Sequence, residues 1–248
     1  MQARTRKIRD VVTYRKVLEE HDDAMMFRGQ SADLALVPSI ARYIRTVRAY
    51  GNWPDFQRAL LERFVKWARP QVRPLPDRRE DWLVHAQHHG VPTRLLDWTT
   101  NPLKALFWAV EDPFAEDLDG VVWTFMPRSW REDVLEPTRL DDDALTPFMP
   151  KHINARVVAQ EACFVSFPLP RNTRPIQAMD AGGAYRRSIA QLRKLTIPAA
   201  SKRRLRAELR SLGVNHRALY PDLQGIALHI ATELNDEERV SPGRRRAK

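Results

Sequence analysis

The densest set of polar side chains lies in HHGVPTRLLDWTTNP, residues 88–102, which brings His88, His89, Thr93, Arg94, Asp97, Trp98, Thr99 and Asn101 into one short passage. A lone arginine in an apolar run is the second feature: in AMMFRGQ, Arg28 stands between Phe27 and Gly29–Gln30. A guanidinium keeps its charge and is rarely buried alone. Arg28 therefore meets a carboxylate of the chain or an anionic ligand, and Asp97 is the carboxylate expected for it. The third is Gln160–Glu161 in VVAQEACFV, where a carboxylate in an apolar strand is costly unless paired or facing a pocket. One cleft shared by Arg28, Asp97, Thr99 and Glu161 accounts for both charged anomalies.

Other chemistries find little support. His85 and His89 have the i, i+4 spacing of a two-histidine metal site, but HAQHH lacks the glutamate of HExxH, and Cys163 is the only cysteine. No metal is expected. Ser39, Ser129 and Ser166 stand in no GxSxG turn. The nine glycines form neither GxGxxG nor GxxxxGK, so anion binding falls to side chains such as Arg28, Arg94 and Arg156.

These groups need strands and helices to position them. AMMFRGQ, VPTRLLDWTT, DGVVWTFMP and ARVVAQEACFVSFPLP read as strands. Helical spacing of apolar residues marks 53–68, with Asp55 as the expected cap, and a second helix is expected over 81–89 before Gly90. NPLKALFWAVED begins a helix capped by Asn101 with Pro102 at its first position. Residues 131–150 read as an exposed loop and 170–184 as a mobile one. SKRRLRAELRSLG, capped by Ser201, and DLQGIALHIATEL complete a helical end. Strands and helices without regular alternation indicate an α+β fold. The layout is one domain: an N-terminal helix over 1–24, an α+β core over 25–184, a basic helical segment over 185–235 and a basic tail over 236–248.

The 248 residues carry a net charge of +10, concentrated in 186–217, where Arg186, Arg187, Arg193, Lys194, Lys202, Arg203, Arg204, Arg206, Arg210 and Arg217 face a lone Glu208. That stretch suits either a solvated helix or a polyanion contact. The charged start, MQARTRKIRD, precedes no apolar segment of the kind a secretion signal needs, and no apolar run is long enough to cross a bilayer. A cytoplasmic protein is expected.

The strings FRGQ, LVPSIAR, HHGVPTRLLDWTTNPLKALFWA, NARVVAQ and LYPDLQGIA, in this order over residues 25 to 230, resemble the FRG domain family, named for its Phe-Arg-Gly motif. The motif layout also resembles the ADP-ribosyltransferase superfamily. That group keeps an Arg or His on a first core strand, a Ser/Thr motif leading into an ALxFA-type helix, and a Gln/Glu or Glu/Glu pair later. Here Arg28, LDWTTNPLKALFWA and QEACFVSFP follow that order. Asp97-Trp98-Thr99 replaces Ser-Thr-Ser, and Gln160 and Glu161 are adjacent instead of separated by one residue.

This second resemblance implies a split mixed or antiparallel sheet with flanking helices, NAD as substrate, and Arg28, Thr99 and Glu161 as catalytic residues. Phe27, Gly29, Gln30, His89, Thr93, Arg94, Asp97, Trp98, Arg156 and Gln160 would bind substrate, with Trp98 stacking on nicotinamide. The acceptor would be DNA, RNA or protein. By analogy with the wider group, the role is that of a toxin or phage-defence effector, with an antitoxin or neutralising protein as a further partner. The alternative is a non-catalytic nucleic-acid-binding module that uses the basic stretch.

Overall fold

The computed structural model describes residues 6–20, 24–128, 144–150 and 155–240. Seven strands, β1 (Arg6–Lys7), β2 (Met26–Gln30), β3 (Leu95–Thr99), β4 (Gly120–Pro127), β5 (Thr146–Phe148), β6 (Ala162–Ser166) and β7 (Ile189–Ile197), form one sheet in the order β1-β7-β4-β2-β3-β6-β5. Six of them are antiparallel to their neighbours, and β1 joins β7 in parallel. The helices are α1 (Val11–Glu19), α2 (Trp53–Ala68), α3 (Arg79–His88), α4 (Pro102–Val110), α5 (Ala155–Ala159), α6 (Lys202–Ser211), α7 (His216–Leu219) and α8 (Leu223–Val240). The fold is mixed α+β, and among the described residues no helix is long and apolar enough to cross a membrane.

The sheet is divided at its centre. β2 pairs with β4 along its whole length, and β3 pairs with β6 from Leu95 to Thr99, but β2 and β3 share only the Phe27–Thr99 register pair. Beyond it the two strands part around Arg28 and Asp97. One sheet face carries Met26, Leu96, Trp98, Trp123 and Val165 against Trp53 and Phe56 of α2 and the segment around Phe167–Met179. On the other face, α4 packs with α1 and α6 over β2, β4 and β7, while α3 and the end of α2 cover β3, β5 and β6.

α4 is fixed by its sequence. Asn101 Oδ1 accepts from the Leu103 and Lys104 amides, and Pro102 occupies the first turn, where no amide donor is needed. Its Ala105, Leu106, Phe107, Ala109 and Val110 are buried. Gly29 and Gly120 let it sit backbone-to-backbone on the sheet: a Cβ at Gly29 would lie 1.8 Å from Ala105 O, and one at Gly120 2.2 Å from Ala109 O. Gly29 thus makes room for α4.

Several local expectations change. The string read as a strand through Glu161 is a short helix, α5, then a turn in which Glu161 has φ 45°, and β6 begins only at Ala162. Within the segment expected to be helical, 189–197 is instead strand β7, whose adjacent charged residues Arg193 and Lys194 fall on opposite faces of the sheet. Asn52, not Asp55, caps α2, accepting from the Asp55 amide, and Ser201 makes no capping hydrogen bond to α6. The 170–184 segment is anchored: Ile176 and Met179 are buried, Met179 N donates to Leu36 O, and Leu36 N donates to Asp180. Of the loop expected over 131–150, residues 131–143 lie outside the described ones, and 146–148 form β5.

The overlap at Gly29 is with main chain, which cannot swing aside. Gly29→Ala should lower stability by about 3 kcal/mol or more and the unfolding midpoint by about 6–12 °C. An unchanged midpoint in a thermal melt would show that α4 does not sit so close.

Candidate functional site

Where β2 and β3 part, Arg28 Nη1 donates to Asp97 O at 2.6 Å, supplying the donor that an absent ladder partner would have given. The Asp97 carboxylate is 4.0 Å from the same nitrogen, and 22% of the Arg28 side chain and 58% of the Asp97 side chain reach solvent. Burial pulls the Arg28 pKa down, and Asp97 acts in the opposite direction. Arg28 Nε is buried with no partner. The guanidinium is therefore anchored at one corner, with donors left over.

A cavity of ≈ 360 Å³ opens at this parting, bounded by Phe27, Arg28, Gly29, Asp97, Trp98, Ala162 and Phe164 of the sheet, Val84, Gln87 and His88 of α3, Trp108 and Glu111 at the end of α4, and Val157, Gln160 and Tyr220. Its polar groups are pre-set. Thr93 Oγ1 donates to Gln87 Oε1 at 2.6 Å, and Gln87 Nε2 donates to Asp97 Oδ2 at 2.9 Å, so a buried threonine orients the carboxylate beside Arg28. Burial, then the neighbouring His89 and Arg156, holds the His88 imidazole below its ordinary value. Tyr220, pushed up to about 12 by burial, accepts from Trp108 Nε1 at 3.1 Å and keeps its own proton to donate. Trp98 tilts against Phe125 with centroids 5.4 Å apart, so much of its ring belongs to the core, and its buried Nε1 has no partner.

The expected residues divide. Phe27, Arg28, Gly29, Asp97, Trp98 and Gln160 line the cavity. Glu161 does not: the turn at φ 45° directs it to a separate cavity with Thr100, Met149 and Val158, where Lys104 Nζ at 2.7 Å and Asn101 Nδ2 at 3.0 Å bind its Oε1. Thr99 is buried, donating to Gln160 O and accepting from Asn101 N, so its hydroxyl closes the β3–α4 turn. Arg94 is 5% exposed and donates to Phe167 O, Gln30 accepts from Trp123 Nε1 in the core, and Thr93 acts only through Gln87. His89 is exposed; the preceding His88 faces the cavity instead. Arg156 lies over the Tyr220 ring at 4.6 Å and reaches Gln224 and Asp222.

Gln87, Trp108, Glu111 and Tyr220 were not singled out by the sequence, although LYPDLQGIA did mark the neighbourhood of Tyr220, and His88 stood in the polar cluster of 88–102 without a role. Part of the basic stretch is committed inside the fold, while Arg186, Arg187, Arg203, Arg204 and Arg217 are exposed. Lys202 is fully buried, donating to Ser31 O and Ala115 O; Arg206 forks onto Glu116 at 2.7 and 2.8 Å; Arg204 pairs with Glu208; and Lys194 pairs with Asp33 above Trp123. Among the described residues, no group of three or more His, Cys, Asp or Glu is placed to hold a metal ion.

Residues 23–118 match the family model of the FRG domain. No curated protein and no solved structure matches the chain. The matched span runs through α4 and includes Arg28, Gln87, Asp97 and Glu111; Gln160 and Tyr220 lie beyond it.

The Lys104 hydrogen bond, with Asn101 adding to it against some burial, holds the Glu161 carboxyl below its ordinary value. The pairing is therefore at full strength above the ordinary carboxylate range and is lost as pH falls through the lowered value. With 46% of its side chain exposed, the contribution is small. Glu161→Gln should lower the unfolding midpoint slightly at neutral pH, and the difference should vanish in acid. A difference that persists in acid would refute the assignment.

Proposed function

Proceeding from an FRG domain over residues 23–118, we propose that the cavity between β2 and β3 binds a phosphate-bearing nucleotide, with NAD as substrate and transfer of ADP-ribose to a macromolecule as the reaction. The observation that carries this reading is Arg28, a strand arginine anchored by one nitrogen to Asp97 O at the mouth of the parting, with the rest of its fork uncommitted. Arginine is suited to phosphate because its planar donors meet two oxygens at once.

The surroundings suit the rest of such a ligand. The ≈ 360 Å³ volume falls within the ~300–1,000 Å³ range of small-molecule sites. Phe27, Trp98, Trp108 and Tyr220 supply apolar and aromatic wall for a flat heterocycle, and Gln87, His88 and Gln160 supply a few polar groups. Cleaving the nicotinamide–ribose bond passes through an oxocarbenium-like state, as glycoside cleavage does. The bonding pair stays with nicotinamide while C1′ takes a new bond from the acceptor. A carboxylate in the cavity wall stabilises the developing positive charge. Gln160 offers a carboxamide to the ribose hydroxyls, the part first expected of its neighbour Glu161. A toxin or phage-defence setting rests on the same analogy with the wider transferase group.

NAD binding by calorimetry and nicotinamide release by chromatography test the reading. Arg28→Lys should weaken NAD binding by ~10–100-fold, the loss of one or two charge-assisted hydrogen bonds, with little change in unfolding midpoint. Equal affinity in a folded Arg28→Lys protein overturns the assignment of Arg28. A parent protein that neither binds NAD nor releases nicotinamide overturns the function.

A further inference from the structure

A second cavity, ≈ 420 Å³, adjoins the first. It lies among the loop after α4, α7 and α8, and it shares Ser31, Glu111 and Tyr220 with the first as common wall. Glu111 is the C-terminal cap of α4, so the helix fixed on the sheet by Gly29 and Gly120 also fixes this carboxylate. Its Oε2 lies 2.9 Å from His216 Nε2, and 23% of its side chain is exposed. His216 is buried edge-on against Phe107, with centroids 5.0 Å apart. Its Nδ1 lies 3.4 Å from Thr232 Oγ1, which itself donates to Leu228 O at 2.8 Å. A carboxylate only accepts. His216 therefore donates from Nε2 to Glu111 Oε2, and Oε1 makes no hydrogen bond with a described residue.

We infer that Glu111 is the catalytic carboxylate of the transfer, that the acceptor reaches the first cavity through the second, and that His216 is the positioning residue for Glu111. The inference rests on the NAD reading above and assigns its base. Among the described residues, the carboxylates lining the first cavity are Asp97 and Glu111. Asp97 sits against the anion-binding arginine, with Oδ2 4.0 Å from Arg28 Nη1 and accepting from Gln87, and it does not line the second cavity. Glu161 is bound to Lys104 and Asn101 in another cavity. Glu111 alone of these stands where two spaces meet, one lined by Arg28 and one leading outward past Phe114, whose ring is 98% exposed.

In the step, the C1′–N bond of NAD breaks and its electron pair neutralises the nicotinamide nitrogen. The lone pair of the acceptor oxygen or nitrogen forms the new bond to C1′, and the acceptor's proton passes to Glu111 Oε1. No oxidant or reductant is needed. His216 keeps the other carboxylate oxygen in place throughout and does not take the proton itself.

Water as acceptor supplies the test, since nicotinamide release from NAD in plain buffer reads the same step. Glu111→Gln preserves size and hydrogen-bonding capacity; it should lower kcat by ~10²-fold or more while leaving NAD affinity within ~3-fold and the fold intact. Formate should restore part of the turnover of Glu111→Ala, because a small carboxylate can replace a missing base but not a missing packing contact. His216→Phe should lower kcat by ~10-fold with KM unchanged, the mark of a residue that aims the base. Parent-like turnover in Glu111→Gln, or failure of formate to restore Glu111→Ala, overturns the inference and leaves the NAD reading standing. A parent protein that releases no nicotinamide removes that reading, and this inference with it.

Discussion

A guanidinium standing in for a strand is the interaction on which this architecture turns. β2 and β3 are neighbours in the sheet yet share one register pair, and the main-chain carbonyl of Asp97 faces a gap that Arg28 fills at 2.6 Å. Asp97 is exposed, so water could satisfy that carbonyl instead; Arg28 is the side chain that spans the two strands where their ladder ends. The residue that repairs the sheet also charges the space the parting creates. Structure and candidate chemistry therefore meet in one side chain.

The walls of that space derive their precision from elsewhere. α4 lies against β2 and β4 at main-chain distance because Gly29 and Gly120 have no Cβ, and it delivers Trp108 and Glu111 to the rim. Lys202, fully buried, ties Ser31 O to Ala115 O and so joins the end of β2 to the turn after α4. Burial lowers its pKa against the pull of Glu116. A buried ammonium is tolerated when its donors are used, and here two carbonyls use them. Lys202 and, through its fork onto Glu116, Arg206 thus serve internal ties rather than a partner.

What could be read from the sequence was what is encoded locally. Asn101 and Pro102 announce the start of α4, the apolar run DGVVWTFMP announces the buried strand β4, and an arginine in an apolar strand announces a partner. What could not be read depends on distant residues. Nothing around Glu161 discloses that Lys104 and Asn101, about 60 residues earlier, will hold its carboxylate in a left-handed turn. The β-branched pair in ARVVAQ suggested a strand, whereas tertiary packing makes it one short helix. Arg193 and Lys194 disguised β7 as part of a basic helix, because one pairs outward and its neighbour belongs to the opposite sheet face. His88 and His89 are adjacent and chemically alike, and only the C-terminal geometry of α3 decides which one faces the cavity.

The single register pair between β2 and β3 also has a mechanical consequence. A continuous sheet is stiff because bending it breaks many hydrogen bonds together, but here the block β1-β7-β4-β2 and the block β3-β6-β5 are each fully laddered and meet at Phe27–Thr99. That junction is a natural axis of compliance. Of the contacts across it, the Arg28–Asp97 hydrogen bond is polar and exposed, whereas Met26, Trp123 and Phe125 of one block share a core with Leu96, Trp98 and Val165 of the other, which limits the rocking to small amplitudes. Amide exchange would then separate into two cooperative blocks, with the slowest protons in β4 and β6 and the fastest along the facing edges of β2 and β3.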